Sequence, residues 1–379
     1  MSPSDYYEGN FFFMDVTEPD ISALDKRLDT LSPLDRALFE RLYSLCVQKS
    51  SIHIPENMRE WVATQFGSIE AVTSQRVVRL TNNVTGEETI YNGLRALRPC
   101  DTREKSPVSL DSLDMGTDSF ANPLENTPED TFGRIEGQHC ITASNIAKCD
   151  ELHGLVIFKN SHPLRWGRDE VADYIETAWR WAQKAHSLHP LNRYFFFCWN
   201  CLWRSGASIN HGHAQMTLSR GKAYSRIESL RKAAQSYRRR YKANYFDDLF
   251  KVHRSLGLVF DRDGVRVLAC LTPVKNSEII LMADRLDTPF KENMYDVLAF
   301  YRDQLGVTSF NLAIATPPLD RTRESWQGFP VTAWLVDRGS LNYRSSDIGS
   351  LELFAANSVA SDPFKLAEKL DILITKGKA

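Results

Sequence analysis

Apolar and polar positions along the chain follow two periods, and the switches between them mark out the elements. From about Ile21 to Phe66 apolar residues recur three and four apart, as in SPLDRALFERLYSLC, where Ser32 and Pro33 hold cap and first-turn positions; the pattern predicts helix. Period-two alternation follows in SQRVVRL and ETIYNGL, and the Asn/Gly chemistry of NNVTGE between them predicts a hairpin turn. The sequon Asn83-Val84-Thr85 falls inside that turn and is read as turn chemistry. A polar stretch rich in Asp, Ser and Pro, from Cys100 to about Thr131, predicts a long loop.

Beyond it the order is strand (LHGLVIFKNSHP), amphipathic helix (GRDEVADYIETAWRWAQKAHSL), strand (RYFFFCWN), glycine-containing turn, and strand within SGASINHGHAQMTLSRG. The same order recurs in SEIILMAD, TPFKENMYDVLAFYRDQLG, TSFNLAIA and FPVTAWLVDRG, so that MTLSRG and AWLVDRG hold equivalent places. Fixed order with similar spacing predicts an internal duplication. The expected fold is therefore α+β: a helical N-terminal region over 1–66, a first half over 67–221, and a linker helix with a degenerate second half over 222–379. Each half is expected to be a mainly antiparallel sheet with packed helices.

The first half carries the unusual face. On an extended strand alternate side chains share a side, so His211, His213 and Gln215 point one way while Gly212, Ala214 and Met216 point the other. Three readings of two imidazoles and an amide on one face compete: a hydrogen-bonded core pair, a metal site, and a nucleophilic imidazole beside an amide that binds a phosphoryl oxygen. In the second half the face has become Pro330-Val331-Thr332-Ala333-Trp334, which places any chemistry in the first half.

Composition narrows the classes. With 42% hydrophobic residues in 379, the chain can fill a sizeable core, and its apolar runs are strand-length. A net charge of -2 offers no global attraction to nucleic acid or to an anionic membrane. The run Arg238 to Arg240 reads as the solvated face of a helix. Seven cysteines, odd in number and mostly scattered, argue for a reducing, cytoplasmic setting. The opening MSPSDYYEGNFFFMDVTEPD lacks a basic n-region and does not read as a signal peptide. Cys198 and Cys201, three apart on a strand, face opposite sides and make a poor metal or redox pair.

The stretch WNCLWRSGASINHGHAQ resembles the active-site strand of the histidine-triad transferase superfamily, in the branch of galactose-1-phosphate uridylyltransferase, diadenosine tetraphosphate phosphorylase and GDP-hexose phosphorylase. The matched residues are Asn200, the turn at Gly206, Ala207 and Ser208, and His-x-His-x-Gln at His211, His213 and Gln215. The approach GLVIFKNSHP and the C-terminal SLELFAANSVASDPFKLAEKL are similar to that family as well. The resemblance implies that the two halves are histidine-triad-like. It implies that His213 is a nucleophile forming a nucleotidyl-histidine, that Gln215 donates to the non-bridging oxygens, and that Ser208 and Asn200 contact phosphates. His211 would help hold the site and, in zinc-containing members, binds the metal. HCITASNIAKC falls where the family contacts ribose and base, which makes Ser144, Asn145 and Lys148 substrate-binding candidates against the plainer reading of a polar strand-end loop.

Glutamine at position 215 limits the chemistry. An amide has no titratable proton for a poor leaving group, so the enzyme should expel phosphates or sugar 1-phosphates, whose second pKa is about 6. The implied reaction moves an NMP group from an NDP-sugar or dinucleoside polyphosphate to a phosphate or sugar-phosphate acceptor through His213. The rivals are a phosphorylase using orthophosphate and a non-catalytic nucleotide-binding protein. No cofactor is certain from the residues, with a structural zinc as the one candidate. A structural zinc would call on His211, His162 and Cys100, an incomplete set beside the upstream CxxC pair of zinc-containing uridylyltransferases. Relatives that share active sites across a dimer make a homodimer the assembly to test; neither nucleic acid nor membrane is an expected partner.

Overall fold

The computed structural model describes residues 20–99, 119–343, 346 and 348–376. The N-terminal stretch before Asp20 and residues 100–118 of the polar stretch expected as a loop from Cys100 to about Thr131 lie outside the described residues; its remainder carries the short helix Pro123–Asn126. The chain runs through α1 (Leu24–Leu28), α2 (Pro33–Leu42), β1 (Tyr43–Ser51), α3 (Arg59–Phe66), α4 (Ile69–Thr73), β2 (Ser74–Asn82) and β3 (Glu88–Tyr91). It continues through α5 (Pro123–Asn126), β4 (Cys140–Ser144), β5 (His153–Phe158), α6 (Arg168–Leu188), β6 (Asn192–Asn200) and β7 (His213–Arg220). The second half comprises α7 (Ser225–Tyr241), α8 (Tyr245–Ser255), β8 (Val259–Arg262), β9 (Val265–Ala269), β10 (Ile279–Ala283), α9 (Thr288–Asp303), β11 (Phe310–Ala315) and β12 (Val331–Asp337). The C-terminal elements are α10 (Ser350–Leu353), β13 (Ala356–Val359) and α11 (Pro363–Lys376).

Ser32 caps α2 by accepting the Asp35 N–H, with Pro33 in the first turn, as the sequence predicts. The helix then stops sooner than its apolar spacing suggests. Tyr43 is extended, and Tyr43–Ser51 pairs antiparallel with β2 along its whole length, because the partner strand satisfies backbone groups that a continued helix would have satisfied internally. The N-terminal region is thus helical with a strand inserted. The predicted hairpin forms: Asn82 Oδ1 accepts the N–H groups of Val84 and Thr85 and shapes the turn between β2 and β3. With β13 pairing parallel to β3, these strands make the sheet β1-β2-β3-β13.

The larger sheet has the order β4-β5-β7-β6-β11-β12-β10-β9-β8. Its first four strands are mirrored by β11-β12-β10-β9, and β6 and β11 meet antiparallel at the junction. This is the internal duplication read from the sequence, closed edge to edge into one continuous sheet. One face is covered by helices. In α6 the residues Val171, Tyr174, Ile175, Ala178, Trp181, Ala182 and Ala185 follow the three-four spacing and are buried, each large one contributing roughly 1.5–3 kcal/mol. The α6 and α9 helices are tied by Lys291 to Glu176 (2.9 Å) and Arg168 to Asp296 (2.6 Å). Beneath the junction Phe158 stacks on Tyr174 (3.7 Å between centroids) and Trp199 sets its edge against Phe158 and Phe310. The opposite face of the sheet carries the motif.

Candidate active site

Strand β7 begins at His213. Pairing places Ile157 opposite His213, Leu155 and Cys198 opposite Gln215, and Thr217 opposite His153. Cross-strand partners share a side, so His213, Gln215 and Thr217 stand on the face away from α6. Ala214, Met216 and Leu218 fill the helix-covered face and are wholly buried. His211 lies just ahead of the strand, held because Gly212 N–H donates to Ser161 O (2.8 Å) and Phe158 N–H donates to Gly212 O (3.0 Å). Gly212 is there for space: a Cβ would lie 2.6 Å from Cδ2 of Phe158, whose ring is pinned by Tyr174.

The two imidazoles are oriented by carbonyls. His211 Nε2–H donates to Phe158 O at 2.9 Å, and His213 Nδ1–H donates to His211 O at 2.8 Å. A carbonyl only accepts, so in neutral His213 the proton is on Nδ1 and the lone pair is on Nε2. Both rings are buried. Phe120 presents its ring edge-on to His213 (5.1 Å) and His211 (5.9 Å), and packs with Ala143, Leu155 and Ile157 into an apolar cluster beside them.

Gln215 is half-buried, and its Oε1 lies 2.9 Å from Nε2 of His153. Asn145 Nδ2 is 3.2 Å from the same nitrogen, so this predicted residue is brought into the neighbourhood of Gln215. Burial holds His153 below the ordinary imidazole range, which keeps it neutral at pH 7.

Asn200, at the end of β6, accepts from Asn311 Nδ2 at 2.6 Å, and that amide also donates to Ser205 O at 2.9 Å. Arg338 in turn donates to Asn311 Oδ1. Gly206 closes the short turn Trp203–Ser205 in a left-handed conformation (φ 96°), and Ser208 is exposed on the loop leading into the motif. The structure does not bring Ser144 to this face. Ser144 pairs with Gly154 on the α6 side, where its hydroxyl donates to the buried Asp130 carboxylate (2.7 Å) and accepts from Lys148 Nζ (2.7 Å). Trp181 Nε1–H donates to the other Asp130 oxygen at 2.7 Å, which makes the group a buried polar joint between β4 and α6.

Among the described residues no group of three or more His, Cys, Asp or Glu side chains is placed to hold a metal ion. Cys100, one of the zinc candidates, lies outside the described residues. Nε2 of His211 is taken up by Phe158 O, and Nδ1 of His162 accepts the Leu164 N–H. Cys198 faces the motif side of the sheet, whereas Cys201 is buried against the carbonyls of Pro163 and Thr308. Burial pushes the Cys198 thiol up to about 12 and the Cys201 thiol higher still, so neither is a thiolate near neutral pH. Arg239 and Arg240 are exposed on α7, as a solvated helix face requires.

Sequence reasoning missed Phe120, His153 and Asn311. Phe120 stands inside the polar stretch that ends at about Thr131, and Asn311 belongs to the second half; both reach the site through tertiary packing. His153 had a signal, since it opens the apolar run HGLVIF on a strand that pairs with the motif strand. Across the junction, a single cross-strand row runs Gln215, Cys198, Ala313, Trp334. Thr332 and Trp334 thus occupy the face that His213 and Gln215 occupy in the first half, without an imidazole.

No family model and no curated sequence matches the chain. Solved structures match it in fold. An ADP-glucose phosphorylase from Arabidopsis thaliana superposes with a TM-score of 0.61 at 14% identity, over 78% of this chain and 98% of that one. A GalT-like protein from Arabidopsis thaliana gives 0.57 at 16% identity, over 76% and 97%. A uridylyltransferase gives 0.54 at 12% identity, over 79% and 98%. The chain shares the fold of these three proteins, with its large sheet built from two mirrored sets of strands.

Proposed function

We propose that the protein is a nucleotidyltransferase that carries an NMP group on His213. The observation that bears the reading is the Nδ1–H donation from His213 to His211 O, which leaves the Nε2 lone pair as the nucleophile. In the first half-reaction Nε2 attacks the α-phosphorus of a nucleoside diphosphate sugar. An N–P bond forms, the bond to the bridging oxygen breaks, and the electron pair leaves on the sugar 1-phosphate. The leaving group is an anion at neutral pH and needs no proton. The charge that develops on the imidazole is stabilised by the His211 carbonyl at Nδ1.

Gln215, with Asn200 and Ser208, would supply donors to the phosphoryl oxygens, and Asn145 would act at the edge of the site. In the second half-reaction a phosphate oxygen of the acceptor attacks the same phosphorus and restores His213. Fold neighbours that are a phosphorylase and a uridylyltransferase support a nucleotide sugar as the donor class. The ADP-glucose phosphorylase neighbour favours orthophosphate as the second candidate acceptor.

Partial exchange tests this reading. With a nucleotide sugar and its own sugar 1-phosphate in labelled form, and no other acceptor, the account expects label to enter the nucleotide sugar. A protein that turns over a complete donor–acceptor pair without that exchange would lack the covalent intermediate.

A further inference from the structure

We infer that His153 is a positioning residue that turns the Gln215 amide toward the substrate. The inference rests on the nucleotidyl-transfer reading above and names how its phosphate-binding amide is set.

An amide side chain has two ends of similar shape and opposite polarity, and only the nitrogen end can donate to a phosphoryl oxygen. Something must therefore choose which end faces the substrate. The backbone around His153 makes that choice. Cys149 N–H donates to Nδ1 of His153 at 3.1 Å, and a backbone N–H has no other role available. Nδ1 is thereby the acceptor nitrogen, so in the neutral ring the proton is on Nε2. The Cys149 thiol, 3.3 Å from the same Nδ1, is compatible with that assignment as a second donor.

Nε2–H then points at Gln215 Oε1, 2.9 Å away, which fixes the oxygen end of the amide against His153. The NH2 end is left for the ligand side. Asn145 Nδ2 is 3.2 Å from Nε2, but a donor facing a donor adds no hydrogen bond; its own oxygen is held by the Ala147 N–H at 3.0 Å, so that amide does not invert. The backbone of β5 fixes His153 in turn, because the residue pairs with Thr217, two positions beyond Gln215 on the motif strand. Burial keeps the ring neutral and so preserves the acceptor at Nδ1.

The test is a double-mutant cycle read through the rate of His213 labelling by a nucleotide sugar, with melting temperature measured on each variant. His153→Leu removes the donor, and the account expects labelling to slow about tenfold, the worth of one hydrogen bond of ordinary strength. His153→Gln, whose amide places a donor near the former Nε2, should recover most of that loss. In a Gln215→Ala background His153→Leu should change the rate less than about twofold, since no amide remains to be turned. Equal losses from His153→Leu in both backgrounds would overturn the proposal, as would an unchanged rate in His153→Leu when the wild type labels normally. A wild type that never labels, while still binding the nucleotide, overturns the nucleotidyl-transfer reading and removes the ground for this one. The two failures are therefore distinct.

Discussion

Asn311 of the second half donates its amide to Asn200 of the first across the junction of β6 and β11, at 2.6 Å, and the two residues face each other in the strand register. Asn200 Oδ1 is thus satisfied from the second half, which sets which end of that amide remains a donor. The second half carries no histidine at the equivalent positions, yet it contributes Asn311 to the candidate site. Replacing Asn311 by Leu alters no residue proposed to touch substrate but releases Asn200, which is one of them, and removes one acceptor of Arg338. Transfer activity should fall about tenfold, and steady-state kinetics on the purified variant would show it.

Gly212 is fixed by packing. Its φ is not in the left-handed region, so Ala would be tolerated by the backbone, yet the added Cβ meets Phe158 at 2.6 Å. Because Phe158 is stacked on Tyr174, the strand must yield, and His211 and His213 move with it. Gly212→Ala should cost about 1–3 kcal/mol in denaturant unfolding and slow labelling of His213.

Phe120 stands steeply inclined to both histidine rings, 5.1 Å from His213 and 5.9 Å from His211, and packs with Ala143, Leu155 and Ile157 beside them. Truncation to Ala opens that packing. Stability should fall by about 3 kcal/mol. The variant should also lose more of its intermediate to water, measured as nucleotide released without any acceptor, whereas the wild type should release little.

Glu278 provides the pH dependence. Its side chain is buried ahead of β10, Oε2 accepts the Val274 N–H at 2.6 Å, and burial pushes its carboxyl up to about 7 despite Arg226, 3.8 Å away and shared with Glu87. A folded-state value above the unfolded one means that the folded protein keeps the proton. The stabilisation is full below the unfolded value near 4.5 and is lost as pH rises through about 7. The loss is at most about 3 kcal/mol. Glu278→Gln holds an amide where the proton was, so it should melt higher than the wild type at pH 8 and alike at pH 4.5.

How much of this was legible in the sequence depends on where the determining contacts lie. The α6 and α9 helices, the β2/β3 hairpin and the strands β5, β6, β7, β10, β11 and β12 could be read because each carries its own period and breakers within a short window, whereas β4, β8 and β9 were not read as strands. Tyr43–Ser51 could not, because its partner β2 lies about thirty residues on and only pairing converts a helical spacing into a strand. The site divides in the same way. His213 and Gln215 share one face of β7 and were visible as such, whereas His211, expected on the same strand, precedes it. The His153 tautomer, the Asn200–Asn311 pair and the Phe120 packing depend on strands brought together by the duplicated sheet. Ser144 sits in the expected segment, but strand alternation places it on the α6 side with Asp130, a parity that requires the β4/β5 register.

The most direct measurement is intact-protein mass spectrometry after brief incubation, without acceptor, with UDP-glucose, GDP-mannose, ADP-glucose and diadenosine tetraphosphate in separate reactions, beside His213→Ala. The account predicts that one donor adds the mass of a single NMP to the wild type, that the variant gains nothing, and that phosphate or a sugar phosphate discharges the adduct. An adduct that persists in His213→Ala, or donors that are consumed in the presence of acceptor while the protein mass never changes, would contradict it.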